Sequence, residues 1–89
     1  PVILVGTTSG TGSEVTGVSV LTNESGRKKS VSGENYYAKV SFADPKYTYS
    51  MTMGVTVSTA IDAFCHAVES LLSNKSGEQS KMYSKRAIP

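Results

Sequence analysis

The sequence has 89 residues, of which 38% are hydrophobic, and a formal net charge of +2 at pH 7. These values describe at most one small domain with a modest core, and they exclude intrinsic disorder. Lys and Arg are too thinly spread for a nucleic-acid-binding patch. The single cysteine, Cys65, excludes an internal disulfide and is compatible with a reducing compartment. No apolar run approaches the length of a membrane span or signal sequence, so we expect a cytoplasmic protein with no nucleic-acid or membrane partner.

The first half of the sequence predicts short strands. Val2 to Val5 (VILV) is a continuous apolar run, which is typical of a central strand covered on both faces. Three further segments predict a hairpin and one more strand: 15 to 22, 28 to 31 and 40 to 43. The hairpin turn would be Asn23 to Gly26, with Gly26 at positive φ, and the last strand would end at Asp44 before a proline.

The second half predicts two helices after a linker from Tyr47 to Gly54. Between Val55 and Ser73 the apolar residues follow the helical period as one stripe: Ile61, Phe64, Cys65, Val68, Leu71 and Leu72. A second helix would begin near Gly77. Its residues with a spacing suited to packing on the first helix are Met82, Tyr83, Ala87 and Ile88. Because the sequence opens on Pro1 and stops within this helix, we expect an internal piece of a longer protein.

A polar loop, TTSGTGSEVT from Thr7 to Thr16, follows the first predicted strand. Its backbone N–H groups, hydroxyls and glycines meet the needs of a bound phosphate or ribose. Thr11 and Glu14 also match a capping box, so an ordinary capped turn is the alternative. The loop lacks the lysine of a P-loop and the glycine spacing of a Rossmann fingerprint.

Asp62 and His66 lie four residues apart in AIDAFCHAVES, so a helix places carboxylate and imidazole side by side. Such a pair can share a divalent metal, and a simple helical ion pair is the alternative. Two ligands do not complete a metal site. We expect Cys65 to be a small core residue, and Glu69 to be either solvated or a partner of the His66 imidazole.

Four segments taken in order resemble the iron-containing (group III) alcohol dehydrogenase family: TTSGTGSEV, VLTNESGRKK, VSFADPKYTYSM and TAIDAFCHAVES. The resemblance covers almost the whole chain. It implies an α/β fragment, in which strands and a hairpin from the end of a dinucleotide-binding domain (1–54) precede the first helices of an all-helical metal-binding domain (55–89). It also implies a small alcohol or aldehyde substrate, iron or zinc, NAD or NADP, and a homo-oligomer.

The resemblance further implies roles for single residues. Asp62 and His66 match the first two of the family's four metal ligands. The positions that match cofactor contacts are Thr7, Thr8, Gly17, Ser19, Lys28 and Tyr47. Three departures from the family pattern concern the cofactor pocket and the helix entrance. Gly17 stands where the family usually has proline, Met51-Thr52-Met53 replaces a Met-Pro-Pro turn, and Ala60 replaces a glycine.

The family's Gly-rich pyrophosphate segment would precede Pro1, and its last two histidine ligands would follow Pro89. We therefore expect the 89 residues alone to be an inactive fragment of a metal-dependent NAD(P) alcohol dehydrogenase. One alternative is a non-catalytic truncated module of the same ancestry, with a structural or oligomerisation role. Another is an unrelated phosphate-binding protein that uses the Thr/Ser/Gly loop alone.

Overall fold

The computed structural model describes residues Pro1 to Ile88. Its strands are β1 (Ile3–Val5), β2 (Val18–Thr22), β3 (Lys28–Ser32) and β4 (Val40–Phe42), and its helices are α1 (Met53–Leu72) and α2 (Glu78–Ala87). Short 3-10 turns span Ser13–Val15, Glu34–Tyr36 and Pro45–Thr48. Strands followed by helices confirm the predicted α/β class. The Pro45–Thr48 turn and the helical start at Met53 take up four of the eight residues of the predicted linker, Tyr47 to Gly54.

The described chain forms two compact units. The first contains residues 1–7 and 12–49, and the second contains residues 8–11 together with the chain from Ser50 onward. The polar loop therefore divides between them, and Thr8 to Thr11 belong to the helical unit. The division into domains at residues 54 and 55 stays a prediction.

In the first unit, β1 pairs with β4 in parallel, with Ile3 opposite Val40 and Val5 opposite Phe42. The Gly6 N–H extends this ladder by donating to the Phe42 carbonyl at 3.0 Å. Within residues 1–88, however, the β1 side chains stay exposed, from 36% for Leu4 to 62% for Ile3. The expected cover on both faces is thus wrong for the described chain, because β4 is the only strand paired with β1 there.

The predicted hairpin is confirmed. β2 and β3 pair antiparallel, from Val18 opposite Ser32 to Thr22 opposite Lys28. At the turn, Gly26 has a φ of 78°, and its N–H donates to the Asn23 carbonyl at 2.9 Å. A positive φ of this kind strains other residues far more than glycine. The turn geometry therefore favours glycine at position 26.

The start of the predicted second strand is wrong. Ser13–Val15 is a 3-10 turn, and β2 begins only at Val18. The turn's N-cap is Gly12, one residue after Thr11, the N-cap position that the capping box predicts. The chain reverses at Gly12, where φ is 63°, and this reversal moves the start of the turn past Thr11.

Helix α1 begins two residues before the predicted start because Thr52 caps it. The Thr52 hydroxyl accepts a hydrogen bond from the Val55 N–H at 3.3 Å. A threonine N-cap of this kind stabilises a helix by about 1 kcal/mol. The Met51-Thr52-Met53 departure from the family pattern therefore supplies the helix with its cap.

The packed positions of α1 and α2 are small residues. Ala67 is 7% exposed and Ser84 is 8% exposed, and they are the buried residues of the two helices. The predicted packing stripe is therefore largely wrong, since these members of it are exposed: Ile61, Phe64, Cys65, Leu72, Met82 and Tyr83. Small residues let two helix backbones approach closely, whereas the larger side chains project from the contact.

Helix α1 also corrects an expectation about membranes. Its 20 residues contain an 18-residue window of mean hydropathy 1.2, so on length and composition it is apolar enough to cross a bilayer. The expectation that no apolar run approaches the length of a membrane span is therefore wrong by helix length and by mean hydropathy. A core helix of a soluble protein meets the same two criteria.

Candidate functional site

Two predicted cofactor residues lie at one edge of the parallel strand pair. Thr7 follows β1, and Tyr47 lies in the 3-10 turn that follows β4. The Asp44 carboxylate caps this turn by accepting from the Lys46 N–H at 2.9 Å. Ligands of α/β proteins bind beyond the carboxyl ends of parallel strands. The exposed Thr7 and the 53% exposed Tyr47 ring are therefore at the edge where a nucleotide would be expected.

Glu14 supports this edge, a role that the sequence did not reveal. The Glu14 carboxylate lies beside Gly6, where a built Cβ would be 3.5 Å from the Glu14 Cδ. The Ser41 hydroxyl of β4 donates to the Glu14 carbonyl. These contacts hold the 3-10 turn against the strand pair.

The hairpin separates two of the other predicted cofactor residues. Ser19 pairs with Val31, whereas Lys28 pairs with Thr22, three residues further along β2. Since successive side chains alternate between faces, Ser19 and Lys28 point to opposite faces of the hairpin. Lys29, opposite Leu21, shares the face of Ser19. Lys28 and Lys29 are thus adjacent in sequence, but their side chains lie on opposite faces of the hairpin.

Gly17, the next predicted cofactor residue, is buried at the start of the hairpin. Its carbonyl accepts from the Gly33 N–H at 3.1 Å, and the Tyr37 ring covers its Cα. A Cβ at this position would lie 2.4 Å from the Tyr37 Cε2. The ring, which is 58% exposed, is the group presented to solvent above Gly17.

This close packing makes a testable prediction. We expect Gly17→Ala to lower the free energy of unfolding by about 1–3 kcal/mol, the usual range for overpacking. Because the obstacle is the Tyr37 ring, Gly17→Ala should cost little in a Tyr37→Ala background, so the double-mutant cycle should be non-additive. Gly77→Ala is the matched control, since nothing lies within 4 Å of its built Cβ. Additive effects in denaturant unfolding would contradict the assignment.

In the helical unit, α1 holds the candidate metal pair. The His66 Nδ1 and the Asp62 Oδ2 are 3.6 Å apart, and their side chains are 59% and 45% exposed. This distance is too long for a good hydrogen bond, and an exposed ion pair contributes at most about 1 kcal/mol. The pair is therefore weakly engaged and accessible to a ligand.

A carboxylate oxygen and an imidazole nitrogen form a donor set that fits iron or zinc. Within residues 1–88, no group of three or more His, Cys, Asp and Glu side chains is placed to hold a metal ion. Asp62 and His66 therefore fit a metal as part of a shell that needs further ligands. Cys65, between them in sequence, is an exposed free thiol, which corrects its expected place in a core.

The loop from Thr8 to Thr11 lies in the same unit as this pair. The Ser9 hydroxyl contacts the Met51 sulfur at 3.9 Å, just before α1. Gly10 lies against the α1 backbone at Thr59. The structure therefore brings the predicted cofactor residue Thr8, which is exposed, onto the unit that holds Asp62 and His66.

Comparison with known proteins identifies one family. The sequence profile of iron-containing alcohol dehydrogenases matches residues 1–45. Long-chain-alcohol dehydrogenase 1 of Geobacillus thermodenitrificans is 49% identical over 73 residues, which is 82% of this chain and 18% of that protein. An iron-containing alcohol dehydrogenase of Thermotoga maritima superimposes with a TM-score of 0.88 at 44% identity, over 97% of this chain and 23% of that one.

A third similar protein is the sulfoacetaldehyde reductase of Bifidobacterium kashiwanohense, solved in complex with NAD⁺. It has a TM-score of 0.78 and 43% identity, over 82% of this chain and 20% of that one. The chain belongs to the iron-containing alcohol dehydrogenase family. It spans about a fifth of the length of the relatives it matches.

Proposed function

We propose that this chain is the segment of a metal-dependent alcohol dehydrogenase that carries part of the cofactor wall and the first two metal ligands. The observation that carries the proposal is the accessible Asp62–His66 pair on α1, in a chain that belongs to an iron-containing family. The alternative of an unrelated phosphate-binding loop is wrong, because the family match includes that loop.

The proposed reaction oxidises an alcohol to an aldehyde. A hydride leaves the alcohol carbon with its electron pair and adds to the nicotinamide ring of NAD⁺ or NADP⁺, while the hydroxyl proton passes to solvent. The chemistry that a bound iron or zinc ion supplies is Lewis acidity toward the alcohol oxygen. Asp62 and His66 would provide two of its ligands.

The other residues bind and orient the cofactor. Thr7, Thr8 and Tyr47 would contact it at the strand edge and the loop, and Lys28 would balance phosphate charge. Holding the two reacting carbons in near-attack geometry is the protein's main contribution besides the metal. The NAD⁺ complex of the B. kashiwanohense reductase supports NAD as the cofactor, with NADP as the alternative.

The substrate proposed is a small alcohol or aldehyde, in line with the alcohol dehydrogenase and aldehyde reductase names of the relatives. We also propose a cytoplasmic enzyme without a membrane partner, because Asp62, His66 and Glu69 lie on one face of α1 and ionisable residues within a bilayer are costly. We further propose a homo-oligomer, as the family resemblance implies; exposed apolar residues such as Ile3 and Val20, 62% and 60% accessible, are available to the rest of a longer protein or to a second copy.

One measurement tests the function: intact mass and metal content of the purified natural protein, followed by reduction of NAD⁺ or NADP⁺ with a series of primary alcohols. We expect a mass several times 9.4 kDa, bound iron or zinc, and alcohol-dependent formation of reduced cofactor. A metal-free species of the size of this chain, inactive with every alcohol, would instead support the non-catalytic module.

A further inference from the structure

The contact between Gly10 and α1 is closer than any side chain permits. A Cβ built on Gly10 would lie 2.2 Å from the carbonyl oxygen of Thr59, 2.8 Å from the carbonyl carbon of Thr59 and 3.1 Å from the Thr59 Cβ. The first two atoms belong to a helix backbone, which cannot rotate away as a flexible side chain can. The Thr59 side chain is also held, because its hydroxyl donates to the Val55 carbonyl at 2.9 Å.

Gly10 is restricted for a second, independent reason. Its φ is 131°, a backbone conformation that residues with a side chain rarely adopt. A substitution there would therefore strain the loop and also push it off α1. The second effect is the one that matters for the position of the loop.

The point of contact on α1 is close to the metal pair. Thr59 precedes Asp62 by three residues, which is about 4.5 Å along a helix axis, and residues with this spacing share a helix face. The loop from Thr8 to Thr11 thus rests on α1 less than one turn before the first predicted ligand.

We propose that Gly10 is a positioning residue that sets the separation between the cofactor loop, Thr8 to Thr11, and the α1 segment that carries Asp62. This inference rests on the proposed function, in which Thr8 contacts the nicotinamide cofactor and Asp62 binds the metal. A methyl group at Gly10 moves the loop away from the helix. The hydride donor and acceptor are then misaligned although every functional side chain is intact.

The test compares Gly10→Ala with Gly12→Ala in the natural full-length protein. Gly12 is the matched control because it also has a positive φ, of 63°, while its built Cβ meets only the Val15 Cγ2 at 3.9 Å. Both variants therefore have backbone strain, whereas only Gly10→Ala collides with α1. Metal content, kcat, KM for the nucleotide and the primary isotope effect with α-deuterated alcohol are measured for each.

For Gly10→Ala we expect metal content equal to the wild type, a fall of about 100-fold in kcat, a higher KM for the nucleotide, and a larger isotope effect, since a misplacement of about 1 Å can cost 100-fold. For Gly12→Ala we expect kcat and isotope effect within about twofold of the wild type. A loss of folded enzyme alone would lower kcat without changing the isotope effect. Equal losses in both variants, or an unchanged kcat in Gly10→Ala, would overturn the proposal.

Hydrogen exchange supplies a readout that needs no activity. Gly10→Ala should speed amide exchange in the α1 segment against which the loop rests, residues 59–63, by at least about tenfold, and Gly12→Ala should leave it within about twofold, because helical hydrogen bonds protect these amides and local opening controls exchange. A wild-type protein without dehydrogenase activity would refute the proposed function, and the exchange data would still report whether Gly10 docks the loop. Unchanged exchange in Gly10→Ala would refute the docking itself.

Discussion

His66→Ala is expected to reduce metal affinity by more than about 100-fold and to remove alcohol dehydrogenase activity with it. The reason is that loss of an outer hydrogen-bond partner of a metal ligand already costs about 10–100-fold, and a ligand itself counts for more. The 3.6 Å contact with Asp62 is a weak exposed ion pair, so its loss should leave the thermal midpoint of the apoprotein nearly unchanged. Metal titration and activity assays of the natural protein measure both effects.

Two companion variants make this result specific. Asp62→Asn keeps the size of the side chain but removes the carboxylate charge, so it should also weaken metal binding. Cys65→Ala changes the exposed residue next to His66 and should leave metal binding and activity within about twofold of the wild type. Retention of full metal affinity in His66→Ala would show that Asp62 and His66 form an ordinary helical ion pair and do not bind the metal.

Lys28→Ala is expected to raise the KM for the nucleotide by about 10–100-fold, because a charge-assisted hydrogen bond to phosphate contributes about 1.5–3 kcal/mol. The effect should weaken as salt is added, since screening acts on exposed charges. Initial rates at varied nucleotide concentration, at low and high ionic strength, measure it.

Lys29→Ala is the matched control, since Lys29 carries the same charge one residue later and faces the other side of β3. We expect its KM to stay within about twofold of the wild type. The opposite outcome, with Lys29 sensitive and Lys28 neutral, would place the cofactor on the hairpin face that Ser19 occupies. Equal effects would indicate general attraction to the positive tip of the hairpin.

Local features of this protein could be predicted from its sequence. The hairpin was predicted because Asn23 to Gly26 contains its own turn chemistry, and the structure confirms Gly26 at positive φ. The Asp62–His66 pair was predicted because a spacing of four residues brings two side chains together on any helix. The family was identified from segments whose order and spacing are visible without a structure.

Features that depend on packing were mispredicted or missed. The apolar period of α1 predicted Ile61 and Phe64 as packing residues, yet Ala67 is the buried position. Periodicity identifies an apolar face but not the partner that covers it, and α2 packs where small residues allow a close approach. Cys65 is exposed for the same reason.

The sequence by itself therefore determined the family, the order of strands and helices, and the pair of candidate metal ligands. The elements and the ligand pair depend on residues close together in the chain, whose geometry the local backbone imposes, and the family depends on the order and spacing of four sequence segments. Only the tertiary structure decided that Gly10 rests on Thr59, that Tyr37 covers Gly17, and that Glu14 lies beside Gly6. Such contacts join residues of different structural elements, which the pattern within one element does not relate, and they arise when the chain folds and surfaces of matching shape meet.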